Sequence, residues 1–452
     1  MTLDEFAGDP TGEGEGDETR ERIVCHVDVD CFYAACERLR DPELEGEPVV
    51  VGMGYEPGDD VGAVATASYE AREYGVESAQ AISTALERLP RRAEHPDDPD
   101  AGHYRPVDMD YYESVAADVK AVLHDVADVV REVSIDEAYL DVTDRTDWSV
   151  AEGFGRHVKD RIRREVGVTA SVGLAPTMSA AKVASDYDKP DGLVVVPPAE
   201  LREFLAPLAV EELNGVGPVT AGELRDMGIE TAGDLAAADR TTLQETFGER
   251  GATLHDRARG IDDRPVKPRG DPKSLSRESA FAESTTDPDA IRTRVRDLAA
   301  DVADRARRKG ALYRTVGVKV VTPPYQVNTR ERSMPGPVDD PDLVESVALD
   351  LVEEFREEAV RKVGVRVSNL EFAAVDQATL GAWETAAESG RGTGETATND
   401  RQREETATDR SKAEGTDPDD AEGGTAARTP AETPGNRRSL APGQTTLDDF
   451  FG

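Results

Sequence analysis

At 452 residues, with 38% hydrophobic side chains, the chain is long enough for about three domains. It holds no apolar run near the roughly 20 residues that a membrane span needs. Its 93 acidic residues outweigh 53 basic ones, giving a net charge of -40, and only 10 of the bases are Lys. Excess acid with scarce lysine is the balance of proteins kept soluble at high salt by self-repulsion, so the charge alone excludes no nucleic-acid partner. Cys25, Cys31 and Cys36 form no CxxC pair, which argues against a disulfide framework or a zinc site. The acidic, Gly-rich N-terminus is the opposite of a signal peptide, and a cytosolic location is expected.

Residues 1–21 read as a disordered acidic extension. Cys25, Val27 and Val29 then alternate with His26, Asp28 and Asp30, the period of a half-buried strand. A helix is predicted from Cys31 to Leu39. Arg131–Ile135 and Ala138–Val142 form a predicted hairpin with Asp136 and Glu137 at its tip. Thr169–Leu174 reads as a strand and Ser179–Ser185 as a helix. A short helical block from 197 to 263 contains LNGVGPVTAGELRDMGI. The Pro-rich, basic segment 264–273 reads as a linker. The block 274–376 reads β-α-β-β-α-β, with strands near Ser276–Ala282, Leu312–Val321, Gln326–Ser333 and Val363–Phe372. Its helices are predicted at Asp287–Arg308 and Asp340–Glu358. Residues 377–443 lack apolar periodicity and read as a disordered tail; the last nine residues turn apolar again.

The chemistry is concentrated in HVDVDCFYAACE and VSIDEAYLDVT. Carboxylates delivered by two strand ends suit hard divalent cations, and such pairs serve phosphoryl or nucleotidyl transfer. In so acidic a chain, adjacent acids also arise by chance. Tyr69 and Arg72 lie one helical turn apart and can project together. Gly215 and Gly217, between helical segments, can bring backbone amides to a phosphate at a helix N-terminus. Arg330 and Arg332 share one face of a predicted strand, with Arg277 and Arg314 as further cations.

The ordered set HVDVDCFYAACE, ATASYEAREYGV, VSIDEAYLDVT, TASVGLAPTMSAAKVASDYDKPDGLVVV and LNGVGPVTAGEL resembles Y-family translesion DNA polymerases of the DNA polymerase IV type, from Ile23 to Phe372. A haloarchaeal source fits the composition. The resemblance implies an α+β multidomain right hand: palm (22–31 and 105–196), fingers (32–104), helical thumb with a helix-hairpin-helix (197–263), and a βαββαβ little finger (274–376). It implies two Mg²⁺ ions held by Asp28, Asp136, Glu137 and the Val29 backbone carbonyl, with Glu137 completing the primer side and Asp30 structural. Tyr33 matches a sugar gate, and Phe32, Tyr69, Arg72 and Lys189 match nucleotide contacts; Lys182 is a weaker match. Gly215, Gly217, Arg277, Arg314, Arg330 and Arg332 are the expected DNA contacts. GVESAQAIS departs from the family pattern at Ser78, Ala79 and Gln80, which leaves the template-base contact open. Gln444, Leu447, Phe450 and Phe451 resemble a sliding-clamp-binding motif on a flexible tether. The implied partners are primer-template DNA, dNTPs and a sliding clamp, with no membrane and a monomeric chain. The alternatives are a non-catalytic, clamp-bound repair scaffold and a nucleotide cyclase on a palm-like fold.

Overall fold

The computed structural model describes residues 20–372. Three sheets organise them. The first runs in the order β5 (Val129–Glu132), β6 (Glu137–Asp141), β1 (Val24–Val29), β7 (Ala170–Ala175), β8 (Leu193–Val195). The central β1 is antiparallel to both β6 and β7. Every residue of β1 is buried, so the strand is covered on both faces rather than half-buried as its alternation suggested. Cys25, Val27 and Val29 share a core with α4 (Met109–Val126) and α5 (Ala151–Glu165). Val24 and Tyr139 on the other face pack with α6 (Met178–Tyr187). A polar residue therefore sits at His26 with no exposure at all.

Gly173 sets how closely α6 can approach. A methyl group there would collide with the Ala181 carbonyl and the Ser185 amide, so its missing side chain lets the helix backbone rest on β7.

The second sheet has β2 (Val49–Met53) between β3 (Ala63–Ala67) and β4 (His103–Pro106), antiparallel to the first and parallel to the second. The expected 104/105 division thus falls inside a strand of this sheet. With it go α1 (Phe32–Arg40), α2 (Tyr69–Glu73) and α3 (Ile82–Arg88). The departing segment at Ser78–Gln80 folds back on β3: the Ala79 amide donates to the Val64 carbonyl, and the Val64 amide to the Gln80 carbonyl, both at 2.8 Å.

A helical block follows: α7 (Leu201–Leu205), α8 (Pro218–Asp226), α9 (Ala232–Ala237), α10 (Arg240–Phe247) and α11 (Glu249–Ala258). The last block is β9 (Ser274–Thr285), α12 (Pro288–Arg308), β10 (Ala311–Thr322), β11 (Gln326–Val338), α13 (Pro341–Val352) and β12 (Val360–Phe372). Its element order is the βαββαβ read from the sequence. The sheet order is β11–β10–β12–β9, with Val316, Val318, Val363, Val365 and Val367 buried in the core shared with α12 and α13. The second helix stops at Val352 instead of Glu358, continuing only as a 3-10 turn to Phe355. Among the described residues no helix is long and apolar enough to cross a membrane.

Candidate active site

The register of the first sheet brings the acids together. Asp28 lies opposite Glu137 on one neighbour and Ser171 on the other. Paired residues on adjacent strands face the same side, so Asp28 and Glu137 project together. The Val29 amide donates to the Asp136 carbonyl at 3.1 Å, fixing the β5–β6 turn against the end of β1. Ser134 shapes that turn. Its hydroxyl oxygen accepts from the Glu137 amide at 3.1 Å and the Asp136 amide at 3.3 Å, and the hydroxyl donates to the Asp136 carboxylate. The hairpin is as expected, but the turn takes Val133–Asp136, and Glu137 opens β6.

Two lysines from α6 and the loop after it enter this cluster. Lys182 Nζ is 2.7 Å from Asp28 Oδ2 and 2.9 Å from Glu137 Oε2. Lys189 Nζ is 2.7 Å from Asp28 Oδ1. Burial works against the Asp28 charge, but Lys182 and Lys189 outweigh it and hold the carboxyl below its ordinary range. Burial likewise opposes ionisation of Glu137; His26 and Lys182 win and bring it to about 2. Asp136 has no cation beside it. Burial, then the Asp28 charge, push it up to about 6.

Behind Glu137, His26 Nε2 is 3.5 Å from Oε2 of that residue, while Nδ1 is 2.8 Å from the Ser185 hydroxyl. Tyr139 covers the imidazole, with ring centroids 4.5 Å apart. Asp30 is engaged by other partners than Glu137 and the two lysines. It accepts from Ser171 Oγ at 2.9 Å, the Asp191 amide at 2.9 Å and Tyr69 OH at 3.3 Å. It ties together β1, β7, α2 and the loop that carries Lys189.

Cys31 takes a left-handed conformation at φ 46 and turns the chain into α1, placing Phe32 and Tyr33 beside the cluster. Both are nearly fully buried, and Tyr33 stacks on Tyr112 at 4.6 Å between centroids. The Arg72 guanidinium lies 4.8 Å from the Tyr69 ring centroid, so the expected projection of the pair holds. The Tyr69 hydroxyl is engaged by Asp30, and Arg72 Nε by the Ala67 carbonyl at 3.0 Å.

The acids and lysines of this cluster, with Ser134 and His26, make a carboxylate site at the mouth of a buried strand. Asp28, Glu137 and Asp136 are hard oxygen donors of the kind that hold divalent cations. Among the described residues no three acids, cysteines or imidazoles converge as a ready-made ion site; the Lys182 ammonium lies between Asp28 and Glu137 instead. A cationic group is thus already accommodated between two of the three carboxylates.

Gly215 (φ 96) and Gly217 form the hairpin before α8. Two arginines of α11 brace it, Arg257 donating to the Asn214 carbonyl at 2.7 Å and Arg250 to the Gly215 carbonyl at 2.8 Å. The four expected arginines of the last block are each paired with an acid. Arg330 meets Glu354 at 2.5 Å, Arg332 meets Asp350 at 3.1 Å, Arg314 meets Glu371 at 2.5 Å, and Arg277 meets Asp301 at 3.8 Å. Arg330 and Arg332 do share a face, but it is the helix side: Glu354 lies in the turn after α13 and Asp350 on α13 itself. The opposite face carries Lys319 and Lys362, both on Glu278, and the exposed Arg366. Gln444, Leu447, Phe450 and Phe451 lie outside the described residues.

Comparison with known proteins places this architecture. Residues 27–186 match the impB/mucB/samB family, 272–380 its C-terminal domain, and 211–262 the thumb domain of DNA polymerase iota. A DNA polymerase IV of Halobacterium salinarum is 65% identical over 360 residues, 80% of this chain and 88% of that protein. The chain belongs to the Y family of DNA polymerases. The DNA polymerase IV of Methanoculleus marisnigri is 42% identical, covering 80% of this chain and 98% of its own. Among solved structures, a Y-family chimera of Dbh and Dpo4 sequence aligns with TM-score 0.68 at 28% identity, covering 78% of this chain and all of the other. DinB from Sulfolobus solfataricus aligns with TM-score 0.53 at 27% identity over the same shares. The chain is therefore a metal-dependent translesion DNA polymerase, and the scaffold alternative is not favoured. The haloarchaeal origin read from composition is consistent with the first relative.

Sequence reading missed His26, Ser134 and Asp186, and undervalued Lys182. The signal for the last was present: Lys182, Asp186 and Lys189 are spaced to lie on one side of α6 and its exit loop.

Proposed function

We propose that Asp28, Asp136 and Glu137 hold two Mg²⁺ ions, helped by the Val29 carbonyl at the end of β1, and that this site joins a dNTP to a primer 3′-hydroxyl on template DNA. The observation that carries the reading is the juxtaposition of Asp28 and Glu137 across β1 and β6, with a cationic group between them. When bound, the ions would lower the pKa of the attacking hydroxyl and neutralise the leaving phosphates. Lys189 and Arg72 supply charge for the triphosphate. Tyr33, stacked on Tyr112, is assigned the exclusion of a ribose 2′-hydroxyl. Phe32 and Tyr69 shape the wall beside it.

Gly215 and Gly217 take a DNA phosphate on their amides, at the N-terminus of α8. The expected thumb and little finger limits are retained, and the boundary between fingers and palm moves to the end of β4. Backbone contacts of the little finger are assigned to the face bearing Arg366, since the arginines first expected to make them are engaged by acids. The terminal motif docks a sliding clamp, and the enzyme works as a monomer in the cytoplasm. Primer extension titrated with Mg²⁺ tests the site. Asp28→Asn and Asp136→Asn should each lose at least roughly a hundredfold in rate while binding primer-template within twofold of the native protein. Native extension rates in Asp136→Asn would remove it from the site.

A further inference from the structure

Asp186 belongs to neither acidic strand end, yet it touches both lysines of the cluster. Its Oδ1 is 3.4 Å from Lys182 Nζ and 2.8 Å from Lys189 Nζ. Lys182 and Asp186 are one turn apart on α6, and Lys189 follows three residues later. The same two ammonium groups cover both oxygens of Asp28, at 2.7 Å each. A divalent cation bound through Asp28 uses at least one of those oxygens, which brings it within repulsion distance of an ammonium already there and pushes that ammonium aside. The lysine side chains are only 22% and 21% exposed. A charge moved off its partner at such a site costs free energy unless another acceptor takes it. Asp186 is already in contact with both, and its side chain is 44% exposed, so it can follow them without disturbing the core.

We propose that Asp186 is a positioning residue for metal entry: it takes Lys182 and Lys189 from Asp28 when a divalent ion arrives and keeps them beside the site. It acts through the lysines and does not touch the ion. The inference rests on the reading of Asp28 and Glu137 as metal-holding carboxylates. Without Asp186 the lysines have only Asp28 and Glu137 to pair with, and they compete harder with the ion. In a chain lacking both lysines, Asp186 has nothing to take.

The test is Mn²⁺ binding to the full chain, without DNA or nucleotide, followed by the electron paramagnetic resonance of free Mn²⁺ at fixed KCl. Asp186→Asn should raise the Kd about tenfold, within the usual span of coupling between sites. Asp186→Glu should restore it. Lys182→Met with Lys189→Met should lower the Kd, and adding Asp186→Asn to that pair should change it less than twofold. This double-mutant cycle isolates the coupling. Equal weakening in both backgrounds would show that Asp186 is a direct ligand or a structural prop, and an unchanged Kd in the native background would show that it has no part in metal entry; either overturns the proposal. An Asp28→Asn control separates the two levels of failure. Undiminished Mn²⁺ binding there removes the underlying site, and this inference with it; weakened binding there alongside an inert Asp186→Asn removes only the inference.

Discussion

Replacing Asp136 by Asn is predicted to stabilise the metal-free protein at pH 7, whereas replacing its neighbour Glu137 by Gln is predicted to destabilise it. Asp136 is held up at about 6 from an ordinary 3.8. A rise of that size corresponds to about 3 kcal/mol against the charged form, and the partly exposed turn screens it to about 1–2 kcal/mol. Because the folded pKa is raised, the cost is absent below 3.8, grows as pH rises, and is complete above about 6. Asparagine removes the charge, and its side-chain oxygen can still accept from Ser134. Glu137 is held at about 2 from an ordinary 4.5. Its contribution is fully present above 4.5 and is lost as pH falls through about 2. With Lys182 and His26 left facing a neutral amide, Glu137→Gln should cost about 2 kcal/mol after the same screening. Between pH 7 and pH 5 the Asp136→Asn gain should shrink by about half, while the Glu137→Gln loss stays flat.

Urea unfolding in EDTA, followed by Trp148 emission in a Trp383→Phe background, measures both. Trp148 packs against the core beneath the first sheet, so its signal belongs to the unit that carries the site. If both substitutions destabilise, or if the Asp136→Asn gain does not change with pH, the electrostatic account of the cluster is wrong.

Tyr33→Ala should raise ribonucleotide use relative to dNTPs at least tenfold in single-nucleotide incorporation; because the ring is stacked on Tyr112, it should also cost about 3 kcal/mol of stability. Arg366→Glu should weaken primer-template binding, read by fluorescence anisotropy across a KCl series, and lower the salt slope by about one. Arg330→Glu, which loses a pairing with Glu354 on the helix side, should leave that slope unchanged. Removal of residues 444–452 should abolish stimulation of synthesis by a sliding clamp and leave clamp-free extension intact.

Much of the fold was legible in order and type. The last block read β-α-β-β-α-β in the observed order, although β10 is buried along most of its length and β11 is nowhere fully buried. The candidate metal-holding acids were legible because each lies at the end of a short apolar run. What stayed hidden depends on neighbours far away in sequence. The alternation of His26 with Val27 suggested solvent on one side of β1, but Gly173 lets α6 close over that side. Strand period told that Arg330 and Arg332 share a face, not which face; Glu354 and Asp350, from a separate element, decide it. Lys182, on a helix among small residues, was only a weaker match until the register of β1 with β6 put two carboxylates beside it.

Glu137, with Asp28 and Asp136, is proposed to carry out nucleotide addition on DNA the protein holds by other means. Rapid-quench incorporation of one dNTP, at saturating primer-template and Mg²⁺, tests it on the native protein and Glu137→Gln side by side. Template-directed addition by the native chain is expected, with a loss of at least roughly a hundredfold in the variant and DNA affinity within twofold. Addition by the variant at the native rate, or none by the native protein at any KCl concentration, would contradict it.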